Sequence, residues 1–131
     1  MRESLGLRSA VSLLGYISIP FPYVRAFDVG VICSEAESFP NVILEWQSLK
    51  IPIIASHVCA EAVQDDVDGI LVRVGEVAGL DSSIKRLFVD KDLRRRFGRA
   101  GWERVQKGYA GEVVAQAYLE AFQEVQISRT N

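Results

Sequence analysis

With 131 residues, a formal net charge of −2 and a pI near 5.4, the chain suits one domain and lacks the basic excess that favours nucleic acid or anionic membranes as main partners. Its two cysteines and single histidine do not make a disulfide framework or a zinc cluster, and a reducing cytoplasmic location fits this composition. No apolar stretch approaches the roughly 20 residues that span a bilayer, and the amino terminus leads into no signal-like segment.

Four short apolar runs predict strands, and each run ends at turn residues. The runs occupy 10–15, 28–34, 51–56 and 69–74. They are continuously apolar rather than alternating, which is typical of strands covered on both faces in a parallel sheet. The pattern therefore predicts an α/β fold with a parallel sheet of about four strands and helices on both faces.

Two helices are predicted between these strands. The first runs from Pro40 to Leu49, because proline suits the first helical turn. The second is a short helix in the stretch 60–69, which closes with a turn at Asp68-Gly69.

After the fourth run, the sequence becomes helical in character. Helices are predicted within 76–90, 91–108 and 110–126, and they would form a helical C-terminal layer. The last helix has apolar residues at helical spacing, and we expect this stripe to be buried core. Its members are Val113, Val114, Ala117, Tyr118, Ala121, Phe122 and Val125.

Two glutamates flank the start of the helix at Pro40. Glu37 lies in the loop after a predicted strand, where ligands of open parallel sheets bind. The free N–H groups and positive dipole end of the helix suit a phosphate. Glu45 lies five residues beyond Pro40, roughly 7.5 Å along the helix axis. Because carboxylates bind hydroxyls strongly, this layout favours a nucleotide sugar, which has hydroxyls on both sides of its diphosphate.

The segment "ESFPNVILE" from Glu37 to Glu45 resembles the Glu-x7-Glu motif of the family 4 retaining glycosyltransferases, which have the GT-B fold. The flanking stretches "VSLLGY", "AFDVGVICS", "LKIPIIAS" and "DDVDGILVRVGE" resemble the strands around that motif, and the C-terminal helices are also similar. The similarity covers nearly the whole chain. It implies that residues 1–131 form a partial nucleotide-sugar-binding domain with a partial Rossmann-like sheet.

The resemblance also implies an activity and a set of site residues. The activity is hexosyl-type transfer from a nucleotide diphosphate sugar to a hydroxyl acceptor with retention, without a metal or any cofactor besides this donor. Glu37 would contact donor-sugar hydroxyls as the catalytic-site carboxylate, and Glu45 would hold the ribose diol. The other implied donor contacts are the backbone amides near Ser38, Phe39, Asn41 and Val42, with Gly15 and Tyr16 near the base.

The chain departs from the family pattern at three positions in and after the motif. Ser38 replaces a glycine, Trp46 replaces an alanine, and Lys50 stands where a glycine usually ends the helix. If Lys50 adopts the left-handed conformation of such a cap, we expect a cost of about 1 kcal/mol.

The resemblance implies that much of an enzyme lies outside this chain. Full members have an acceptor-binding domain and two earlier strand–helix units with an arginine and a lysine for the diphosphate. In this chain Arg8 and Arg25 are candidates for that role by charge alone, and their spacing does not support them. We expect the chain alone to be inactive and to need an acceptor-binding domain or a second chain. Peripheral membrane association is implied for the full enzyme. Because two strands would be absent, we expect 11–15 to pair beside 28–33 in an isolated monomer, followed by 51–55 and 69–73.

Other interpretations remain open at this point. A nucleotide-sugar epimerase of the same fold, and a non-catalytic binding module or enzyme fragment, would share these patterns. His57 directly follows a predicted strand, but a lone histidine is more often a polar loop residue. The acidic cluster at 65–68 suits a tight turn better than a metal site. The arginine-rich stretch 94–104 includes acidic residues and is typical of a solvated helix face.

Overall fold

The computed structural model describes the backbone of residues 2–130 and the side chains of residues 2–125. It forms an α/β unit, as the sequence predicts. In chain order the elements are α1 (Phe21–Val24), β1 (Gly30–Ile32), α2 (Asn41–Ser48), β2 (Ile53–Ser56), a 3₁₀ helix (His57–Cys59), β3 (Gly69–Val72), α3 (Val77–Val89), α4 (Lys91–Gly108) and α5 (Gly111–Thr130).

Within residues 2–130 the sheet has three strands in the order β1-β2-β3, and both pairings are parallel. Ile54 lies opposite Val31 on one side and opposite Ile70 on the other. Every residue of β2 is buried, because neighbouring strands cover its edges and helices cover both faces. The predicted parallel order of these three strands is confirmed.

Two apolar clusters cover the two faces of the sheet. On one face, Ile43 of α2 packs with Ile53 and Ala55 of β2. On the other, Ile54 and Val72 pack with Leu87 of α3 and with α4. The bulky Trp46 of α2 fits over β1 because Gly30 has no side chain there; a Cβ at Gly30 would lie 2.2 Å from the Trp46 ring.

Helix α4 contacts residues that precede β2 and β3, so it passes the amino ends of these strands. Gly98 of α4 lies against the carbonyl of Lys50, which follows α2. Lys50 has φ 61, so the expected left-handed residue after this helix is confirmed. Arg104 donates to Asp68, whose side chain is 2% exposed. These contacts fix α2, and therefore its amino end, relative to the sheet.

The predicted strand at 11–15 is absent, so the local pairing of this segment with 28–33 was wrong. No helix or strand lies within residues 2–20, and nearly all of these residues are exposed. Leu13 is 77% exposed. The link to β1 contains only the four-residue α1, which buries none of its residues and therefore cannot pack as a crossover helix on the sheet.

Two helical predictions also need correction. The stretch 60–69 forms turns rather than a helix. A short 3₁₀ helix, His57–Cys59, lies directly before it. Helix α5 forms as predicted, but its apolar stripe is exposed rather than core: Phe122 is 66% exposed. No described element covers Tyr118 and Phe122, and their rings stack on each other along the helix. No helix within the described residues is long and apolar enough to cross a membrane.

Candidate functional site

Three loops meet at the carboxyl edge of the sheet. The first, 33–40, connects β1 to α2; the second begins at His57 after β2; the third, 73–76, connects β3 to α3. Because all three strands are parallel, these loops lie at the same edge. This is the edge at which open α/β sheets bind ligands.

Glu37 lies in the first loop, and two serines hold that loop. The hydroxyl of Ser34 donates to Oε1 of Glu37 over 2.6 Å. The hydroxyl of Ser56, at the end of β2, donates to the Ser34 carbonyl over 2.6 Å. Ser56 is only 1% exposed, so this bond is shielded from water. The Glu37 carboxylate is therefore connected to the buried strand while its side chain stays exposed.

The amino end of α2 lies directly after Glu37 and has free donors. Pro40 precedes the helix, and no side chain caps it. Ile43 donates back to the Pro40 carbonyl, which leaves the N–H groups of Asn41 and Val42 without an acceptor among the described residues. The first turn contains no acidic residue. Unpaired N–H groups at a helix start attract anions.

Glu45 lies one turn into α2 on its exposed face. Positions three and four apart share a helix face, so Glu45 is on the same side as Asn41 and Val42, all of which are exposed. The opposite side of the helix is buried through Ile43 and Gln47. The structure thus places both glutamates and the free N–H groups on one accessible surface. We call this surface, made of 37–42 and Glu45, the Glu37–Glu45 surface.

The ring of Tyr109 also supports the Glu37 loop, a contact that the sequence analysis missed. Tyr109 follows α4, and its ring centroid lies 5.6 Å from that of Phe39. Both residues are partly buried. An aromatic residue between two predicted helices was the available signal, but nothing in the sequence indicated that it would contact residue 39.

Cys59 lies near Glu37 but has an unreactive setting. Burial raises the pKa of the Cys59 thiol above its usual value, a hydrogen bond with Ser56 opposes this rise, and the Glu37 carboxylate adds to it. The thiol is therefore protonated at neutral pH and is a poor nucleophile. Cys33 at the end of β1 is exposed instead.

The structure does not bring the remaining predicted donor residues to the Glu37–Glu45 surface. Gly15 and Tyr16 lie in the exposed segment before α1, where Tyr16 is 93% exposed. Arg8 lies in the same segment, and Arg25 packs over the ring of Phe21. His57 is exposed at the start of the 3₁₀ helix. A role for Gly15 and Tyr16 near a nucleotide base stays a prediction.

The acidic residues at 65–68 bind neighbouring groups of the fold. Asp68 accepts from the Gln64 N–H and from Arg104, and Asp65 accepts from the Leu71 N–H. Asp66 pairs with Arg86. The predicted turn is confirmed, and its carboxylates hold β3 to α3 and α4.

A cavity of about 210 Å³ lies on the α3 side of the same sheet edge, and the sequence analysis did not identify it. It is lined by Cys33, Ser56 and Val72, at the carboxyl ends of the three strands. Glu35 and Arg73 also line it. Glu35 directly follows the predicted strand at 28–34, and Arg73 lies near the end of the predicted strand at 69–74, which was the signal that could have indicated them. Ser56 is thus shared between this cavity and the bond that holds the Glu37 loop.

A family comparison agrees with this geometry. Residues 1–90 match the family described as Glycosyl transferases group 1. The chain belongs to this family. A relative of this group 1 chain is the lipopolysaccharide core biosynthesis glycosyltransferase LpsE of Rhizobium meliloti (strain 1021), which is 29% identical over 124 residues. The match covers 92% of this chain and 36% of LpsE, so the chain spans about a third of the length of the curated relatives it matches.

Solved structures show the same fold. Sucrose-phosphate synthase from Thermosynechococcus elongatus matches with a TM-score of 0.87 and 27% identity, over 97% of this chain and 33% of that one. Anabaena Alr3699/HepE in complex with UDP matches with a TM-score of 0.87 and 24% identity, over 94% of this chain and 35% of that one. The group 1 chain is therefore a Rossmann-like α/β unit of the kind found in GT-B glycosyltransferases.

Proposed function

We propose that this chain is the donor-binding part of a retaining glycosyltransferase of family 4, and that it binds a nucleotide diphosphate sugar on the Glu37–Glu45 surface. The observation that carries the proposal is the arrangement of that surface: two unpaired N–H groups at the start of α2 lie between an anchored carboxylate and an exposed one on the same side. Membership of the Glycosyl transferases group 1 family supports the reaction class.

In this proposal each group has a separate task. The N–H groups of Asn41 and Val42 bind the diphosphate, with the backbone near Ser38 and Phe39 close to the sugar side. Glu37 accepts hydrogen bonds from donor-sugar hydroxyls, and Glu45 accepts them from the ribose diol. Gly15 and Tyr16 approach the base when the segment before α1 is placed by the rest of an enzyme.

The chemistry assigned to this surface is stabilisation of the leaving group. As the bond between the anomeric carbon and the diphosphate oxygen breaks, negative charge grows on the diphosphate, and the amino end of α2 stabilises that charge. The hydroxyl acceptor bonds to the anomeric carbon on the face that the diphosphate leaves and gives its proton to the departing diphosphate oxygen, which gives retention. Glu37 positions the sugar and does not attack it.

The chain alone is expected to bind the donor without transferring sugar. It spans about a third of its relatives, and in the proposal the acceptor-binding domain, or a second chain, supplies the other side of the cleft. The retained contacts must offset the entropy of binding, so we expect a dissociation constant near the millimolar range, on the order of 1 mM.

Calorimetric titration tests donor binding directly. UDP and UDP-glucose are suitable probes because HepE was solved with each. We expect binding by the 131-residue chain, and weaker binding of UDP by Glu45→Gln. The matched control is Glu124→Gln on the exposed face of α5, which should bind like the wild type. If UDP, GDP and ADP and their sugars all fail to bind, the proposal is wrong.

A completed enzyme would distinguish the roles of Glu37 and Glu45. The chain would replace the corresponding C-terminal part of LpsE, which it matches over 124 residues. If the fusion transfers sugar, Glu37→Gln should mainly lower kcat and Glu45→Gln should mainly weaken nucleotide binding. Each loss should be roughly 1.5–3 kcal/mol, the range for a hydrogen bond to a charged group. Wild-type affinity and turnover in both variants would contradict the assigned roles.

A further inference from the structure

The carboxylate of Glu37 has one oxygen engaged and one oxygen available. The hydroxyl of Ser34 donates to Oε1 of Glu37 over 2.6 Å. An ionised carboxylate accepts hydrogen bonds at both oxygens, with about four lone-pair sites in all. No group within residues 2–125 donates to Oε2, and the side chain is exposed on the Glu37–Glu45 surface. Oε2 is therefore the oxygen that can accept from a ligand hydroxyl.

The bond from Ser34 restricts a side chain that would otherwise be mobile. Exposed long side chains interchange their rotamers on the picosecond to nanosecond timescale. The freedom that a glutamate side chain loses when it is fixed corresponds to roughly tenfold in an equilibrium constant. A carboxylate that is held before the ligand arrives has already lost part of this freedom. The bond from Ser34 therefore lowers the entropy cost of binding a ligand through Oε2 of Glu37.

The core of the sheet fixes Ser34 in turn. The Ser34 carbonyl accepts from the hydroxyl of Ser56 over 2.6 Å. Ser56 is the last residue of β2, where it is 1% exposed. Its hydroxyl also forms a hydrogen bond with the buried Cys59. The position of the donor to Oε1 thus depends on a buried strand, and not on the exposed loop alone.

Glu37 is held without losing its charge, unlike the carboxylates that hold the fold together. Asp66 pairs with Arg86, and Asp68 pairs with Arg104. No cationic side chain of residues 2–125 forms an ion pair with Glu37. A serine hydroxyl supplies a proton for a hydrogen bond but no positive charge. The full negative charge of Glu37 therefore remains available for charge-assisted bonds from hydroxyls.

We propose that Ser34 is a positioning residue for the donor sugar. Its hydroxyl holds Oε1 of Glu37 so that Oε2 meets a sugar hydroxyl, and Ser56 holds Ser34 in place. This inference rests on the proposed function, because it concerns the same donor site. Ser34 acts on the sugar through Glu37, whereas the start of α2 binds the diphosphate. Loss of the Ser34 hydroxyl should therefore weaken the binding of a nucleotide sugar more than the binding of the free nucleotide.

NMR titrations with UDP and UDP-glucose separate these two effects. Ser34→Ala should leave the dissociation constant of UDP unchanged and raise that of UDP-glucose about fivefold, part of the factor for a glutamate side chain. Ser34→Thr keeps the hydroxyl and should restore the wild-type ratio of the two constants. The matched control is Ser82→Ala on α3, where an exposed hydroxyl donates to the Gly79 carbonyl over 2.9 Å. It should change neither constant.

A double-mutant cycle tests whether Ser34 acts through Glu37. In a Glu37→Ala background no carboxylate is left to position, so adding Ser34→Ala should not change the ratio of the two constants further. An equal loss in both backgrounds would mean that the serine acts on the sugar independently of Glu37, and it would overturn the proposal.

Side-chain relaxation in the ligand-free chain gives a test that does not require donor binding. Carbon-13 relaxation of the Glu37 methylene groups should show greater mobility in Ser34→Ala than in the wild type. Ser34 is only partly buried, so the amide shifts of β2 and the Tm should change little. Ser56→Ala should increase the mobility of Glu37 less, because it acts through Ser34. Equal mobility in the wild type and in Ser34→Ala would contradict the proposal.

The outcomes distinguish this inference from the proposed function. If UDP and UDP-glucose bind the wild type, and Glu37→Ala weakens UDP-glucose binding while Ser34→Ala does not, the donor site stands and the role of Ser34 is wrong. If no nucleotide or nucleotide sugar binds the wild type, the proposed function is wrong and the role of Ser34 fails with it.

Discussion

Gly98 offers the sharpest test of how α4 fixes the candidate site. This buried residue lies where α4 crosses the chain after α2, against the backbone of Lys50. A Cβ at Gly98 would lie 2.0 Å from the Lys50 carbonyl oxygen and 2.8 Å from its carbonyl carbon. Gly98→Ala therefore forces two backbone segments apart, and no flexible side chain can absorb the displacement.

Two opposing terms set the size of the effect. Alanine favours a helix over glycine by about 1 kcal/mol. Overpacking in a well-packed interior costs about 1–3 kcal/mol, and a 2.0 Å approach to backbone belongs at the upper end. The net loss should be about 2 kcal/mol of unfolding free energy, which corresponds to a Tm lower by roughly 8 °C for a domain of this size.

Urea denaturation followed by circular dichroism measures this difference. With an m value of about 1.5 kcal/mol/M, the midpoint should fall by roughly 1.3 M. Gly108→Ala is the matched control, because it lies in the last turn of the same helix and a Cβ there meets nothing within 4 Å; it should be neutral or slightly stabilising. If Gly98→Ala is as stable as the wild type, the close packing of α4 on the chain after α2 is not as described.

Three further outcomes follow from the site and its supports. Arg104→Met should lower stability by about 3 kcal/mol in urea denaturation because it leaves the buried Asp68 without its cation, and adding Asp68→Asn should recover part of the loss. Ellman's reagent should modify Cys33 rapidly and Cys59 slowly at neutral pH, because burial raises the pKa of Cys59. For the same reason the protonated Cys59 thiol contributes to the free energy of unfolding, and this contribution should decline as the pH rises above the usual thiol pKa of about 8.5. In donor titrations Tyr109→Ala should weaken binding while Tyr109→Phe, which keeps the ring that supports the loop, should not; equal affinities would exclude this support.

The sequence was sufficient for the elements whose signals are local. Continuous apolar runs between turn residues predicted β1, β2 and β3, and the absence of alternation in these runs predicted a parallel sheet. Pro40 predicted the start of α2 to within a residue. The left-handed Lys50 was expected from the resemblance to the family, which usually has a glycine at this position after the helix. These features depend on backbone preference and on short-range pattern, which one sequence contains in full.

The Glu37–Glu45 surface was predictable as a motif but not as a structure. The spacing of the two glutamates around a helix start is visible in the sequence. The bond from Ser56 to the loop joins residues 22 positions apart, and the ring contact of Tyr109 with Phe39 joins still more distant ones. The conformational preferences of neighbouring residues do not predict such contacts, because the contacts depend on how the strands and helices are placed in space.

An apolar pattern determined which faces require cover, and the tertiary structure alone decided which faces receive it. The same reasoning that predicted a strand covered on both faces at 51–56 also predicted burial for the α5 stripe and pairing for 11–15. The strand at 51–56 is covered because α2, α3 and α4 pack on the two faces of β2. Tyr118 and Phe122 remain exposed because no described element packs on them. Periodicity measures the tendency of a face to leave water, whereas burial also requires a complementary surface within reach.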